Sequence, residues 1–123
     1  MGLIECIIIS TLKKLGRTSL DRLAKIVFLV DRFGDLQALN WDRIDLVITS
    51  PDLIGTVEQL TRNGGVIKNI GDFLTLANND YDPGCGWIGN TVESTINYVL
   101  EKYGQLSDGE LDDIVESVYE GVY

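Results

Sequence analysis

Residues 50–76 read Ser-Pro-Asp-Leu-Ile-Gly-Thr-Val-Glu-Gln-Leu-Thr-Arg-Asn-Gly-Gly-Val-Ile-Lys-Asn-Ile-Gly-Asp-Phe-Leu-Thr-Leu, and this stretch decides the fold. Ser50 followed by Pro51 is a helix start. The hydroxyl caps free amides, and proline lacks the N–H that a first helical turn would leave unpaired. Leu53, Val57 and Leu60, spaced by four and three, form a narrow inward stripe on a helix over 51–63, and Asn63-Gly64-Gly65 stops it. Two β-rich pieces then flank residues 69–72, whose Gly and Asp suit a tight reversal, so 66–76 reads as a β-hairpin.

Upstream, Ile4, Ile7, Ile8, Leu12 and Leu15 recur at helical spacing. The β-branched run at residues 7–9 would also suit a strand, but Thr11, Lys13 and Lys14 fall on the opposite face and Gly16 supplies a stop, which favours a helix over 3–15. A second helix is capped by Thr18 or Ser19 and carries Asp21 near its positive end. Its apolar stripe is Leu20, Leu23, Ala24, Val27 and Phe28, with Lys25 and Arg32 off the stripe and Gly34 as terminator. Residues 35–43 read as loop and 44–49 as a short strand. Downstream, 77–89 is a Gly/Asn/Asp/Pro loop. Asn90 with Glu93 opens a helix whose stripe is Val92, Ile96, Val99, Leu100 and Tyr103, ending at Gly104. Ser107 to Glu110 is a capping box, followed by the apolar face Leu111, Ile114, Val115, Val118 and Val122.

The order is helix, helix, strand, helix, hairpin, helix, helix. That is a mainly α architecture with a small β-hairpin, winged-helix-like, in one domain over 1–123. Residues 1–76 are its core, 66–76 the wing, and 90–123 a C-terminal helical pair. The helix at 51–63 takes the place of a recognition helix.

Charge is unevenly spread over this frame. The chain has 123 residues, 10 Lys+Arg and 19 Asp+Glu, for a net charge of −9. Residues 1–68 sum to +1, and residues 69–123, with Lys102 as their one base, sum to −10. There is no histidine, which excludes Ser-His-Asp and Cys-His catalysis. The longest apolar runs, at 6–9 and 26–30, fall far short of the roughly 20 residues a membrane span needs. Glu5 interrupts the first apolar stretch and no basic segment precedes it, so a secretory signal is not expected and a cytoplasmic protein follows. A disulfide between Cys6 and Cys85 is geometrically possible but has no supporting spacing rule, and the two read as one buried thiol and one loop thiol.

Several local patterns invite functional readings. Gly84, Gly86 and Gly89 make a G-x-G-x-x-G, but a loop rather than a strand precedes them. This reads as a flexible loop with Trp87 tucked into the core. Asn78, Asp80 and Asp82 alternate like the first ligands of a calcium loop, yet Pro83 and Gly89 stand where Gly and Glu are required. No metal site, cofactor or catalytic residue is therefore expected, and the chain reads as a non-enzyme. Asp108, Glu110, Asp112, Asp113, Glu116 and Glu120 concentrate on the last helix. Together with the aromatics Tyr119 and Tyr123, they suggest a docking face for a basic protein. The one basic region, residues 11–32, holds Lys13, Lys14, Arg17, Arg22, Lys25 and Arg32. A DNA contact would use these, with Gln59, Arg62, Asn63 and Lys68 on the reading helix and wing.

Residues 14–34 and 102–111 resemble two elements of the Panacea antitoxin-domain family and related archaeal winged-helix proteins of unknown function. The first is a helix paired with a Lys-rich helix ending in Phe28-Leu29-Val30-Asp31; the second is Tyr103-Gly104, then Ser107, then Glu110-Leu111. Asp112 and Asp113 stand where that family often has histidine. The resemblance implies a helix-rich, winged-helix-like fold and a regulatory, often toxin-neutralising, role without catalytic residues. The expectation from sequence is a non-enzymatic regulator acting through protein contacts with a basic or toxin-like partner. The alternative is a DNA-binding regulator, with a homodimer pooling its weak basic surfaces.

Overall fold

The computed structural model describes residues 2–45 and 47–121. The fold is mainly helical, with a small antiparallel sheet. Its elements in order are α1 (Leu3–Leu15), β1 (Arg17–Thr18), α2 (Leu20–Phe33), β2 (Asp42–Ile44), β3 (Val47–Thr49), α3 (Pro51–Arg62), β4 (Ile67–Ile70), β5 (Phe73–Leu76), α4 (Gly89–Tyr103) and α5 (Asp108–Tyr119), with a single 3-10 turn at Gly86–Ile88 before α4.

Helix α2 is the axis of the molecule. Every residue from Leu23 to Asp31 is buried, because α1, α4, α5 and strand β3 pack around it. Phe28 sits fully buried, edge-on to Trp41 at 5.2 Å between ring centroids. The sequence pattern implies a one-sided stripe with Lys25 outside it. The structure instead buries Lys25, since α5 closes over that flank and supplies an acid to meet it. The expected caps form at Ser19, Ser50 and Ser107, each accepting a backbone N–H three residues on. At α4 the helix begins at Gly89, continuing directly out of the 3-10 turn, so Asn90 does not cap it.

The three-stranded sheet runs β1-β5-β4, all antiparallel. The hairpin β4–β5 turns at Gly71-Asp72, as the sequence implies. Strand β1 is only two residues long and has no sequence signature. It exists because Gly16, at φ 78, swings the chain out of α1 so that Arg17 and Thr18 meet Thr75 and Leu74. Thr75 Oγ1 then donates to the Gly16 carbonyl at 2.8 Å. One sheet face buries Thr18, Ile67, Leu74 and Leu76, and the other exposes Arg17, Lys68, Ile70 and Phe73.

The strand expected over 44–49 is instead a second hairpin. β2 and β3 pair antiparallel with Arg43 opposite Ile48, and Asp45 turns the chain at φ 58, a left-handed conformation that Asp tolerates better than most residues. The loop before it is cinched by Asp31. This buried carboxylate accepts the backbone N–H of Ala38 at 2.9 Å and of Leu39 at 3.4 Å, and the Trp41 Nε1–H at 2.8 Å.

Two further expectations fail. Cys6 and Cys85 are not free thiols. They form a disulfide with Cα atoms 5.1 Å apart that ties the loop before α4 to buried α1 across 79 positions. Spacing along the chain cannot show such a pair, because folding alone brings the two positions together. Trp87 is not in the core. It is 91 % exposed, because the 3-10 turn that follows the half-buried Cys85 projects it outward. No described helix is long and apolar enough to cross a membrane.

A crosslink closing so long a loop restricts the unfolded chain, so the variant carrying Cys6→Ala and Cys85→Ser should lose about 3–5 kcal/mol in a urea titration. Near-identical midpoints for this variant and the oxidised parent would contradict the bridge.

Candidate functional site

The acidic helix α5 is largely committed to its own chain. Asp108 pairs with Arg22 at 2.8 Å, and the same guanidinium donates to the carbonyls of Gly104 and Leu106, clamping the turn between α4 and α5. Asp112 meets Lys25 Nζ at 2.7 Å, and Asp21 meets it from the other side at 2.6 Å. Arg43, on β2, reaches Glu120 at 2.9 Å and Glu116 at 3.9 Å and lies over the Tyr119 ring. Glu110 completes the capping box with the Ser107 amide at 3.1 Å. Among the described residues of this set, Glu110 and Asp113 form no ion pair, and Glu110 is engaged in its cap. Tyr119 is half-buried, its ring 6.1 Å from that of Phe28, so it is part of the packing rather than a protruding anchor. Tyr123 and Val122 lie outside the described residues.

The same pairs disperse the basic region. Arg22 and Lys25 face α5. Lys14 reaches Glu93 on α4 at 3.4 Å, Lys13 is half-buried, and Arg17 lies 4.7 Å over the Phe73 ring on the sheet. The positive charges of residues 11–32 thus point to several elements and form no single phosphate-binding face.

One surface with open capacity is the groove between α3 and the β4–β5 turn, about 390 Å³, closed at one end by the start of α2. Leu20, Ile54, Val57 and Leu74 make its apolar lining, and Leu20 and Ile54 remain about 40 % exposed. Its charged residues are Glu58, Arg62 and Asp72, with Glu58 and Arg62 already paired at 4.0 Å. Gln59, Asn63 and Lys68 are exposed around it. Lys68 and Arg17 lie on the outer sheet face, each in register with Thr75, outside the groove itself. A groove with an apolar floor and a net charge of −1 is a poor counterpart for a phosphate backbone, whose neutralisation supplies most non-specific nucleic-acid affinity. It suits apolar side chains of another protein. Exposed Leu20 was missed as a site residue because it obeys helix periodicity and reads as core, and Ile54 because it lies outside the Leu53–Val57–Leu60 stripe and carries no signal of its own.

The calcium-like pattern is otherwise employed. Asn78 accepts the Asp80 N–H and Asp82 accepts the Gly84 N–H, each at 2.9 Å, so both side chains shape the loop. No group of three or more Cys, Asp or Glu able to hold a metal ion occurs among the described residues.

Two titrations bear on α5. Burial opposes the charge on Lys25, but hydrogen bonds to Asp112 and Asp21 outweigh it and raise the ammonium above the ordinary lysine value. Its contribution to stability is therefore complete below pH 10.5, the ordinary value, and is lost as pH rises through the folded one. Hydrogen bonds from the Ser107 amide and side chain lower Glu110, so its contribution is present above the ordinary carboxylate range and is lost as pH falls through its depressed value. No family model, curated protein or solved structure matches the chain.

The ion triad is asymmetric, with Lys25 buried and both acids half-exposed. Replacing Asp21 and Asp112 together by Asn strands a buried ammonium and should cost about 3 kcal/mol or more, whereas Lys25→Met leaves only solvated carboxylates and should cost under about 1 kcal/mol. Urea midpoints of the two variants at neutral pH check this order. In acid, hydrogen exchange should show the first turn of α5 opening early, and Glu110→Gln should flatten that pH dependence.

Proposed function

We propose that this chain is a non-enzymatic winged-helix regulator that works by gripping another protein in the groove between α3 and the β4–β5 hairpin. Support for the winged-helix reading comes from the order α1-β1-α2-α3-β4-β5 and the strand order β1-β5-β4, with the β2–β3 hairpin inserted before α3. A three-helix unit followed by a hairpin that pairs back to a short strand after the first helix is how such a fold closes its sheet. The C-terminal pair α4 and α5 packs on α2 and completes the domain.

The observation that carries the functional reading is the chemistry of the groove. A DNA reader fills this position with cations and base-reading amides. Here it presents exposed Leu20 and Ile54 over an apolar floor, with more acid than base around them. The resemblance at residues 14–34 and 102–111 points the same way, towards an antitoxin-like role in which a regulator neutralises a partner by binding it. Acids spent on α5 no longer carry the docking role. The partner is met by apolar burial at the groove, with Asp72 and Glu58 selecting a basic fringe. The Cys6–Cys85 bridge fits an oxidising compartment or the interior of a hyperthermophile, the settings where such bridges persist, better than an ordinary reducing cytosol.

A gel shift with random duplex DNA at low salt should show no complex at tens of micromolar protein. A shift abolished by Arg62→Glu with Lys68→Glu would overturn the protein-contact reading in favour of DNA. For the groove itself, Ile54→Glu should abolish co-purification of the native partner while leaving the circular dichroism spectrum unchanged. Asp113→Lys, on the far helix, should leave it intact.

A further inference from the structure

On a flank built by α1, the loop after α2 and the 3-10 turn lies a second groove, about 440 Å³, lined among others by Leu3, Leu36, Trp87, Ile88, Asp35 and both cysteines of the bridge. Three observations set it apart. Trp87 is the most exposed of the large apolar side chains described, at 91 %. Its backbone is also tethered close to the core, since the disulfide anchors Cys85 two residues before it to the fully buried Cys6. An indole kept outside the core on a tethered backbone leaves both its ring faces open to a partner. Second, the floor is aliphatic. Third, the one charged residue lining the groove is the exposed carboxylate Asp35, and the Glu5 carboxylate lies beside Gly2 at its edge, hydrogen-bonded to that amide at 3.3 Å. No cation lines the groove among the described residues.

We infer that this groove receives an arginine side chain presented by a flexible segment of a partner. The three features match the three parts of that side chain. The aliphatic stem lies on Leu3, Leu36 and Ile88, the planar guanidinium covers the Trp87 ring, and its N–H groups donate to the Asp35 carboxylate. Lysine offers a stem and a charge but neither the flat stacking surface nor the two-pronged donor, so it binds more weakly. The groove is distinct from the α3–hairpin groove and shares no lining residue with it, so the two stand or fall separately.

The protein carries its own probe, because Trp41 and Trp87 are its only tryptophans. Their indole N–H groups give two resonances in a nitrogen-15 correlation spectrum. Trp41 is half-buried and bonded to Asp31; Trp87→Ala identifies the other. Titration with the peptide acetyl-Gly-Ser-Arg-Ser-Gly-amide should move the Trp87 resonance saturably at millimolar concentrations and leave that of Trp41 in place. The same peptide with citrulline, isosteric and neutral, should move neither. Asp35→Asn should weaken binding about tenfold, as expected for loss of a charge-assisted hydrogen bond. Its left-handed backbone (φ 50) is one that Asn accepts, so the variant keeps the loop. The lysine peptide should bind several-fold more weakly. An unmoved Trp87 resonance, an equal response to citrulline, or an Asp35→Asn response equal to wild type would each overturn the proposal. The last outcome would reveal only diffuse attraction of cations to an acidic protein.

Discussion

Burial of α2 on nearly all its sides is the constraint from which the rest of the structure follows. A helix surrounded in this way has little room for charge, yet this one carries Lys25 and Asp31 within its buried stretch. Each is tolerated only because another element supplies its partner. Lys25 requires an acid on α5 beside Asp21, and Asp31 requires the amides of residues 38 and 39 and the Trp41 indole. The two buried charges therefore fix where the last helix and the 34–41 loop must lie. An unpartnered charge at either place would cost several kcal/mol.

The charge asymmetry of the sequence gains a physical meaning from this arrangement. Part of the acid surplus near the C-terminus meets part of the base near the N-terminus across one interface, closed by Arg22 and Lys25 and extended by Arg43. These ion pairs, with the buried apolar face of Leu111 and Val115, tie α5 to the core and leave surfaces poor in net charge as the place proposed for recognition. That is why the α3–hairpin groove, with exposed aliphatic groups and few unpaired ions, is the stronger candidate for function than either charged tract.

Much of the frame was legible in the sequence. Ser50-Pro51, the Leu53–Val57–Leu60 spacing and the capping box at Ser107 are local signals, and each produced the expected element. So did the helical reading of residues 3–15 over its β-branched rival. What escaped were features set by contacts between distant segments. The two-residue β1 exists only against β5, the Cys6 to Cys85 bridge joins positions that no spacing rule links, and the β2–β3 turn depends on Asp45 in a left-handed conformation. The candidate site was the least legible part. Leu20 satisfies the pattern of core residues, Trp87 looks like one and Ile54 falls beside the inward stripe, but exposure is a property of the assembled neighbours rather than of the residue.

Gly104 closes α4 immediately before the turn that Arg22 clamps. A Cβ added there would lie 2.4 Å from the Leu100 carbonyl oxygen, inside the helix's own final turn. The position thus accepts a side chain only if the backbone around it shifts, although its φ of −63 is one that any residue adopts. Its constraint is one of volume and not of torsion. A methyl group in place of this one hydrogen atom would have to push the end of α4 aside, and with it the Gly104 and Leu106 carbonyls that Arg22 holds, so the fit of the last helix against the core rests on an empty volume as much as on any contact.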